Sequence, residues 1–151
     1  MIGFMSVEAQ AEVDFDRAHR RAFFGRLAAR LRRECNQLLA FDEVVRKGRL
    51  AHNRRGLGLR DVEVSKIVGS VGRHEAFDRD FMPTKASLAE RWMIVDRAFH
   101  RGLDLPAVRL YKVGNSYFVE DGNHRVSVAR YQGVETIEAD VIEFFPLYGA
   151  H

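Results

Sequence analysis

From Val7 to Lys47 apolar residues recur at helical spacing, with no proline to interrupt them. Phe24, Leu27, Leu31, Cys35, Leu38 and Val45 mark one stripe, which Ala28 and Leu39 widen, while Arg26, Arg30, Arg33 and Gln37 fall mainly on other faces. The spacing predicts one long amphipathic helix, or two in succession with a bend near Asp14–Asp16, and the stripe is either core or a surface for a partner. Gly48 stands where a C-terminal cap belongs. HNRRGLGLRD, residues 52–61, shows neither helical nor alternating spacing and reads as an exposed linker.

Beyond it the pattern shortens. A strand is expected around Ser65–Val68, broken by Gly69 and Gly72, and then a loop to Pro83 anchored by Phe77 and Phe81. Ser87 and Glu90 have the spacing of a capping box and open a helix to His100, with Leu88, Trp92, Val95 and Phe99 on its buried face and Gly102 at its end. Ala107–Val113 and Ser116–Glu120 alternate as strands around a Gly114-Asn115 hairpin turn. Asn123–Gln132 then reads as a helix closed by Gly133, and Thr136–Phe144 as a last strand. Helices and short strands in mixed order predict a small α+β (mixed α/β) domain, residues 61–151, behind a basic helical arm and linker, residues 1–60.

Composition narrows the class. A chain of 151 residues, 46% apolar and 30% charged, is a folded domain rather than a disordered segment. No apolar run approaches a membrane span and no secretory leader is evident, so no membrane partner is expected. The single cysteine, Cys35, cannot form an internal disulfide and fits the reducing cytoplasm. Charge is unevenly spread: residues 17–60 carry 13 Lys and Arg against three acids. Such a block attracts nucleic acid, an acidic protein or an anionic surface, with Arg26, Arg30, Arg33, Arg54 and Arg55 as the candidate contacts to DNA or RNA. The plainer alternative is a solvated helix face.

The densest chemistry sits at Asp121-Gly122-Asn123-His124-Arg125, where a strand feeds a helix. Asp-Gly permits a sharp turn, and Asn123 suits an N-cap. The first-turn N–H groups and the helix dipole favour an anion, to which His124 and Arg125 add donors. Arg125 opposes the dipole unless an anion or a carboxylate faces it. Two readings stay open: Asp121 pairs with Arg125, or a phosphate sits there. No zinc site is predicted, because the histidines and Cys35 lack ligand spacing, and no Walker glycine-lysine loop occurs.

In order along the chain, SKIVGSVGR, FHRGLDLPAVRLY, KVGNSYFVEDG, GNHRVSVA and IEADVIEF resemble the N-terminal domain of the ParB family and the wider group that includes sulfiredoxin and the free serine kinases. The resemblance spans roughly residues 64 to 144. It implies a ParB/sulfiredoxin-like domain whose G-x-x-R corner binds nucleotide phosphates through Gly122 and Arg125. Asn123 and His124 would line the pocket, and Arg73 would match the early-loop arginine. It also implies an upstream carboxylate base. Glu75, Asp78 and Asp80 lie in that region and Glu75 is the candidate, while Asp121 is the candidate to hold Mg²⁺ beside a bound nucleotide. Asn123 stands where sulfiredoxin has its nucleophilic cysteine, so cysteine chemistry is not expected. With the sequence ending at His151, the second nucleotide segment and helix-turn-helix of partition proteins are not expected.

The leading expectation is a nucleotide- or phosphate-binding domain with phosphoryl-transfer or nucleotide-hydrolysis chemistry. The alternatives are a nucleic-acid-binding protein or nuclease using segment 17–60, and a non-enzymatic interaction module that forms a homodimer through its N-terminal helix.

Overall fold

The computed structural model of the chain describes residues 5–47 and 50–146. Helix α1 runs Val7–Arg32, capped at its start by the Ser6 side chain, which accepts from the Ala9 N–H. It ends at Arg33, whose backbone is left-handed (φ 56°) and whose N–H returns to the preceding turn. The helix therefore runs unbroken through Asp14–Asp16 and does not continue to Lys47. After it come a two-residue strand β1, Leu39–Ala40, a short helix α2, Phe41–Lys47, and a long strand β2, Leu50–Glu63. The expected Gly48 cap lies outside the described residues.

A 3-10 turn, Val64–Lys66, leads into β3, Ile67–Ser70. Then follow α3, Ala89–His100; β4, Val108–Val113; β5, Ser116–Asp121; α4, Asn123–Tyr131; and β6, Thr136–Pro146. The six strands form one mixed sheet in the order β1-β3-β5-β4-β6-β2. The β1/β3, β3/β5 and β4/β6 pairs are parallel, and β4/β5 and β2/β6 antiparallel. This is the mixed α/β architecture, with a long N-terminal helix, that the pattern predicts. No helix among the described residues is long and apolar enough to cross a membrane.

The segment 52–61, expected to be a linker, is instead part of β2. It pairs with β6 from Arg54↔Phe144 to Asp61↔Glu138 and forms one edge of the sheet, through the point where the second domain was expected to begin. Gly69 does not break β3. A side chain there would lie 2.4 Å from the Leu39 carbonyl and 2.6 Å from the Phe118 ring, so the glycine lets β1 and β5 approach.

Both sheet faces are covered. Val108, Leu110, Val119, Ala139 and Val141 point into the main core, which they share with Trp92 of α3 and Val126 and Val128 of α4. On the opposite face Phe41 of α2 stacks against Tyr111, Phe118 and Phe144, with centroids 5.1–5.5 Å away. Helix α1 packs on α3 through small residues: Ala11, Ala18 and Ala22 are buried, and Phe15 meets Trp92 edge-on at 5.8 Å. Of the two readings of the stripe, core fails for most of it: Phe24 is 57%, Leu27 46% and Leu31 81% exposed and Cys35 is exposed, whereas Leu38 is buried. Phe77 and Phe81 do anchor their loop, at 1% and 0% exposure. Helix α3 starts at Ala89, after a 3-10 turn, with no side-chain cap, so Ser87 makes no capping box. On its face Leu88 and Trp92 are buried, whereas Val95 is only partly buried and Phe99 is exposed.

Candidate functional site

Gly122 alone separates β5 from α4, with φ 107° and ψ 30°. It is the N-cap residue, so Asn123 is the first residue of the helix and not its cap, and no side chain caps α4. The first intrahelical bond runs from the Val126 N–H to the Gly122 carbonyl at 3.0 Å. The N–H groups of Asn123, His124 and Arg125 therefore have no partner within the helix. Asn123 Oδ1 is buried and accepts no hydrogen bond.

Arg125 is held in place by the protein itself. One guanidinium nitrogen donates to the Pro106 and Ala107 carbonyls at 2.5 and 3.0 Å, and another donates to Asp121 Oδ2 at 3.1 Å. A carboxylate and two carbonyls thus face this first-turn cation, which offsets its unfavourable place at the positive end of the helix. The arginine also ties the loop before β4 to the corner.

His124 lies half-buried, its ring edge-on to Phe77 at 5.3 Å. Its Nε2 is buried and has no hydrogen-bond partner. Burial, and after it the charges of Arg73 and Arg91, push its pKa down to about 4, so the ring is neutral near pH 7. It brings an uncharged, unpartnered ring nitrogen to the corner.

The corner opens into a cleft of about 550 Å³. One wall is Glu120–Arg125, the second is the Gly72-Arg73 turn, and the third is Arg91, Ile94 and Val95 of α3. Arg73 is placed by its backbone N–H, which donates to Ser70 Oγ at 3.2 Å, and the buried Ser70 hydroxyl in turn donates to the Val119 carbonyl at 3.4 Å. Neither Arg73 nor Arg91 has a carboxylate within ion-pair distance among the described residues. Glu120 pairs loosely with Arg109 at 3.5 Å.

The structure thus brings Asp121, Gly122, Asn123, His124, Arg125 and Arg73 together around one cleft. Glu75 lines a different cavity, of about 700 Å³, between the second half of α1 and the loop before α3. His19, Cys35 and His74 line it too, as do Arg26 and Arg30. Arg54 and Arg55 lie on β2, at the opposite edge of the sheet from β1, where Arg55 meets Glu143 at 3.5 Å. The five arginines proposed for nucleic acid are therefore divided between separate parts of the molecule.

Sequence reasoning missed Arg91, whose place on the exposed side of α3 looks like any solvated helix charge. It also missed a buried polar cluster at the α1–α3 contact, formed by Asp14, Asp96 and His100. Burial, and after it the neighbouring Asp14, push the Asp96 carboxyl up to about 7. Burial alone would raise Asp14 as well, but hydrogen bonding from Asp96, His100 and Gln10 outweighs it and holds the carboxyl below its ordinary range. The i,i+4 spacing of Asp96 and His100 was the available signal, but their partner Asp14 lies more than eighty residues upstream.

Fold and cleft together define a mixed α/β domain with a basic pocket at a strand-to-helix corner. No family model matches the chain, and no curated protein matches it. Among solved structures it is similar to sulfiredoxin from Arabidopsis thaliana, at 20% identity and a TM-score of 0.36, over 55% of this chain and 82% of that one.

Proposed function

We propose that the cleft at the β5–α4 corner binds the phosphate groups of a nucleotide or another phosphate ester. The observation that carries this reading is the convergence of two carboxylate-free arginines, Arg73 and Arg91, on the open N-terminus of α4. A helix N-terminus offers aligned N–H donors and a positive partial charge, and arginine adds planar paired donors suited to phosphate. His124 and Asn123 line the same cleft, and in this reading their unpartnered Nε2 and Oδ1 take up hydrogen bonds with the ligand.

In this arrangement Arg125 positions rather than binds: its bonds to Asp121 and the two carbonyls fix the turn that presents the N–H groups. The Asp121 side chain is 64% exposed, and the oxygen left free by Arg125 can hold a phosphate-bound Mg²⁺ through water. Positioning and charge neutralisation are most of what phosphoryl transfer asks of a protein, so phosphoryl transfer or nucleotide hydrolysis is the chemistry to assay.

The test is calorimetric titration of the full chain with CTP, ATP, ADP and pyrophosphate, with and without Mg²⁺. Arg73→Ala and Arg91→Ala are each expected to weaken binding about tenfold, as befits the loss of one charge-assisted contact. Absence of heat with every ligand, or undiminished affinity in the double variant, overturns the proposal.

A further inference from the structure

Apart from the cleft, a second group of side chains converges where α1, α3 and α4 meet. Asp14 on α1 and Asp96 and His100 on α3 each direct one ligand-type atom to a common point, all within 4.8 Å of one another. His100 Nε2 is 2.7 Å from Asp14 Oδ2 and 3.4 Å from Asp96 Oδ2. Two glutamines hold the carboxylates, Gln10 from behind and Gln132 from within the cluster, where its Nε2 lies 3.3 Å from His100 Nε2. Gln10 Nε2 donates to Asp14 Oδ1 at 2.8 Å. Gln132 Nε2 donates to Asp96 Oδ1 at 2.9 Å and to Asp14 Oδ2 at 3.1 Å.

One atom is left over. Asp96 is fully buried, and its Oδ2, turned into the cluster, has no hydrogen-bond partner. Neither aspartate has a lysine or arginine within ion-pair distance among the described residues. A counter-ion comes only from His100 Nε2, 3.4 Å away, and only when that ring is protonated. A buried carboxylate oxygen that accepts no hydrogen bond is costly, and few native structures retain one without a ligand to explain it.

We propose that Asp14, Asp96 and His100 bind a first-row divalent cation, Zn²⁺ or Mn²⁺, that pins α1 to α3. One imidazole nitrogen with two carboxylate oxygens is a ligand set that suits these ions, whereas Mg²⁺ favours an all-oxygen shell. The His100 side chain is 26% exposed, which gives the ion an entry path and leaves a coordination position for water. Gln10 and Gln132 then act as the hydrogen-bonded partners that orient the ligating carboxylates. The rival occupant is a proton shared between the two carboxyls, which satisfies the same oxygen but needs no histidine and binds no metal.

The full chain, stripped with a chelator, is titrated with Co²⁺ while its visible ligand-field absorption is read, and Zn²⁺ and Mn²⁺ are then competed against the cobalt. One bound equivalent displaced by Zn²⁺ is expected. Asp96→Asn and His100→Ala should each weaken binding about 100-fold, and Gln10→Ala about tenfold, with His74→Ala at the other cavity unchanged. Zn²⁺ should also raise the unfolding midpoint of the wild type but not of Asp96→Asn. Asp96→Asn keeps the shape of the side chain and removes its buried charge, so it is expected to fold without metal. A wild-type chain that binds neither cobalt nor zinc leaves the shared proton in place and overturns the proposal. So does cobalt bound as tightly by Asp96→Asn and His100→Ala as by the wild type.

Discussion

At Gly122 a single residue does the work of a loop. Its φ of 107° strains any residue with a side chain, and an added Cβ would sit 2.6 Å from the Val108 side chain and 3.1 Å from the Arg125 guanidinium. Gly122→Ala is expected to cost roughly 1–3 kcal/mol in backbone strain, with the Val108 overlap in addition. Urea unfolding measures it, and adding Val108→Ala should recover only the part due to the overlap. Unchanged stability in Gly122→Ala would mean that the corner tolerates another path. His124 gives a pH signature at the same corner. Its folded-state pKa, about 4, lies below the ordinary 6.5, so the unfolded chain takes up the proton first as the pH falls. The stability it contributes is complete above about pH 6.5, declines as the pH falls toward 4, and is gone below that. His124→Gln should flatten this part of the profile in urea unfolding measured across that window; an identical slope in the variant would show that other groups set it.

Among the elements, those whose pattern and packing agree were legible. The β4–β5 hairpin, helix α4 and strand β6 have apolar positions that enter the core where their alternation or periodicity says they should. Helix α1 was legible as a helix but not by its face. Four of its large apolar residues, Phe23, Phe24, Leu27 and Leu31, are exposed, and the buried side is Phe15 in a row of alanines that hydrophobic scoring undervalues. Close packing on α3 needs small residues rather than large ones, so the weaker-looking stripe is the one that docks. Strand β2 was illegible for a different reason. It pairs on one side only, and residues 53–61 are mostly exposed, so no alternation records its place in the sheet. Its arginines and glycines read as a linker, yet charges and a register shift between Gly56 and Gly58 are also how an edge strand avoids pairing with strangers. At the corner the residue types pointed to side chains that share one cleft, but how each is held came from contacts distant in sequence. Pro106 and Ala107 occupy Arg125, which leaves the open charge to Arg73 and Arg91.

For the whole molecule the question is whether residues 1–60 behave as an appended arm. Two features argue that they do not. Helix α1 shares the main core through Phe15, Ala18 and Ala22, and β2 crosses residue 60 without leaving the sheet. Trp92, the one tryptophan of the chain, is fully buried where the units meet. It touches Phe15 of α1 and Tyr131 of α4, and its Nε1 donates to Ser127 Oγ at 2.8 Å. Its fluorescence therefore reports on the junction, while far-UV circular dichroism is weighted towards α1, the longest helix. If the chain unfolds as one unit, the two signals share a single midpoint in urea. Ala18 is fully buried at the helix contact, so Ala18→Leu should overpack it, cost about 1–3 kcal/mol and lower both midpoints together. An independent arm gives the opposite result: the dichroism transition splits in two, and Ala18→Leu moves only the transition of α1, leaving the other where it was. Such a split would mark α1 as a unit of its own and confine the cooperative core to the sheet, α3 and α4.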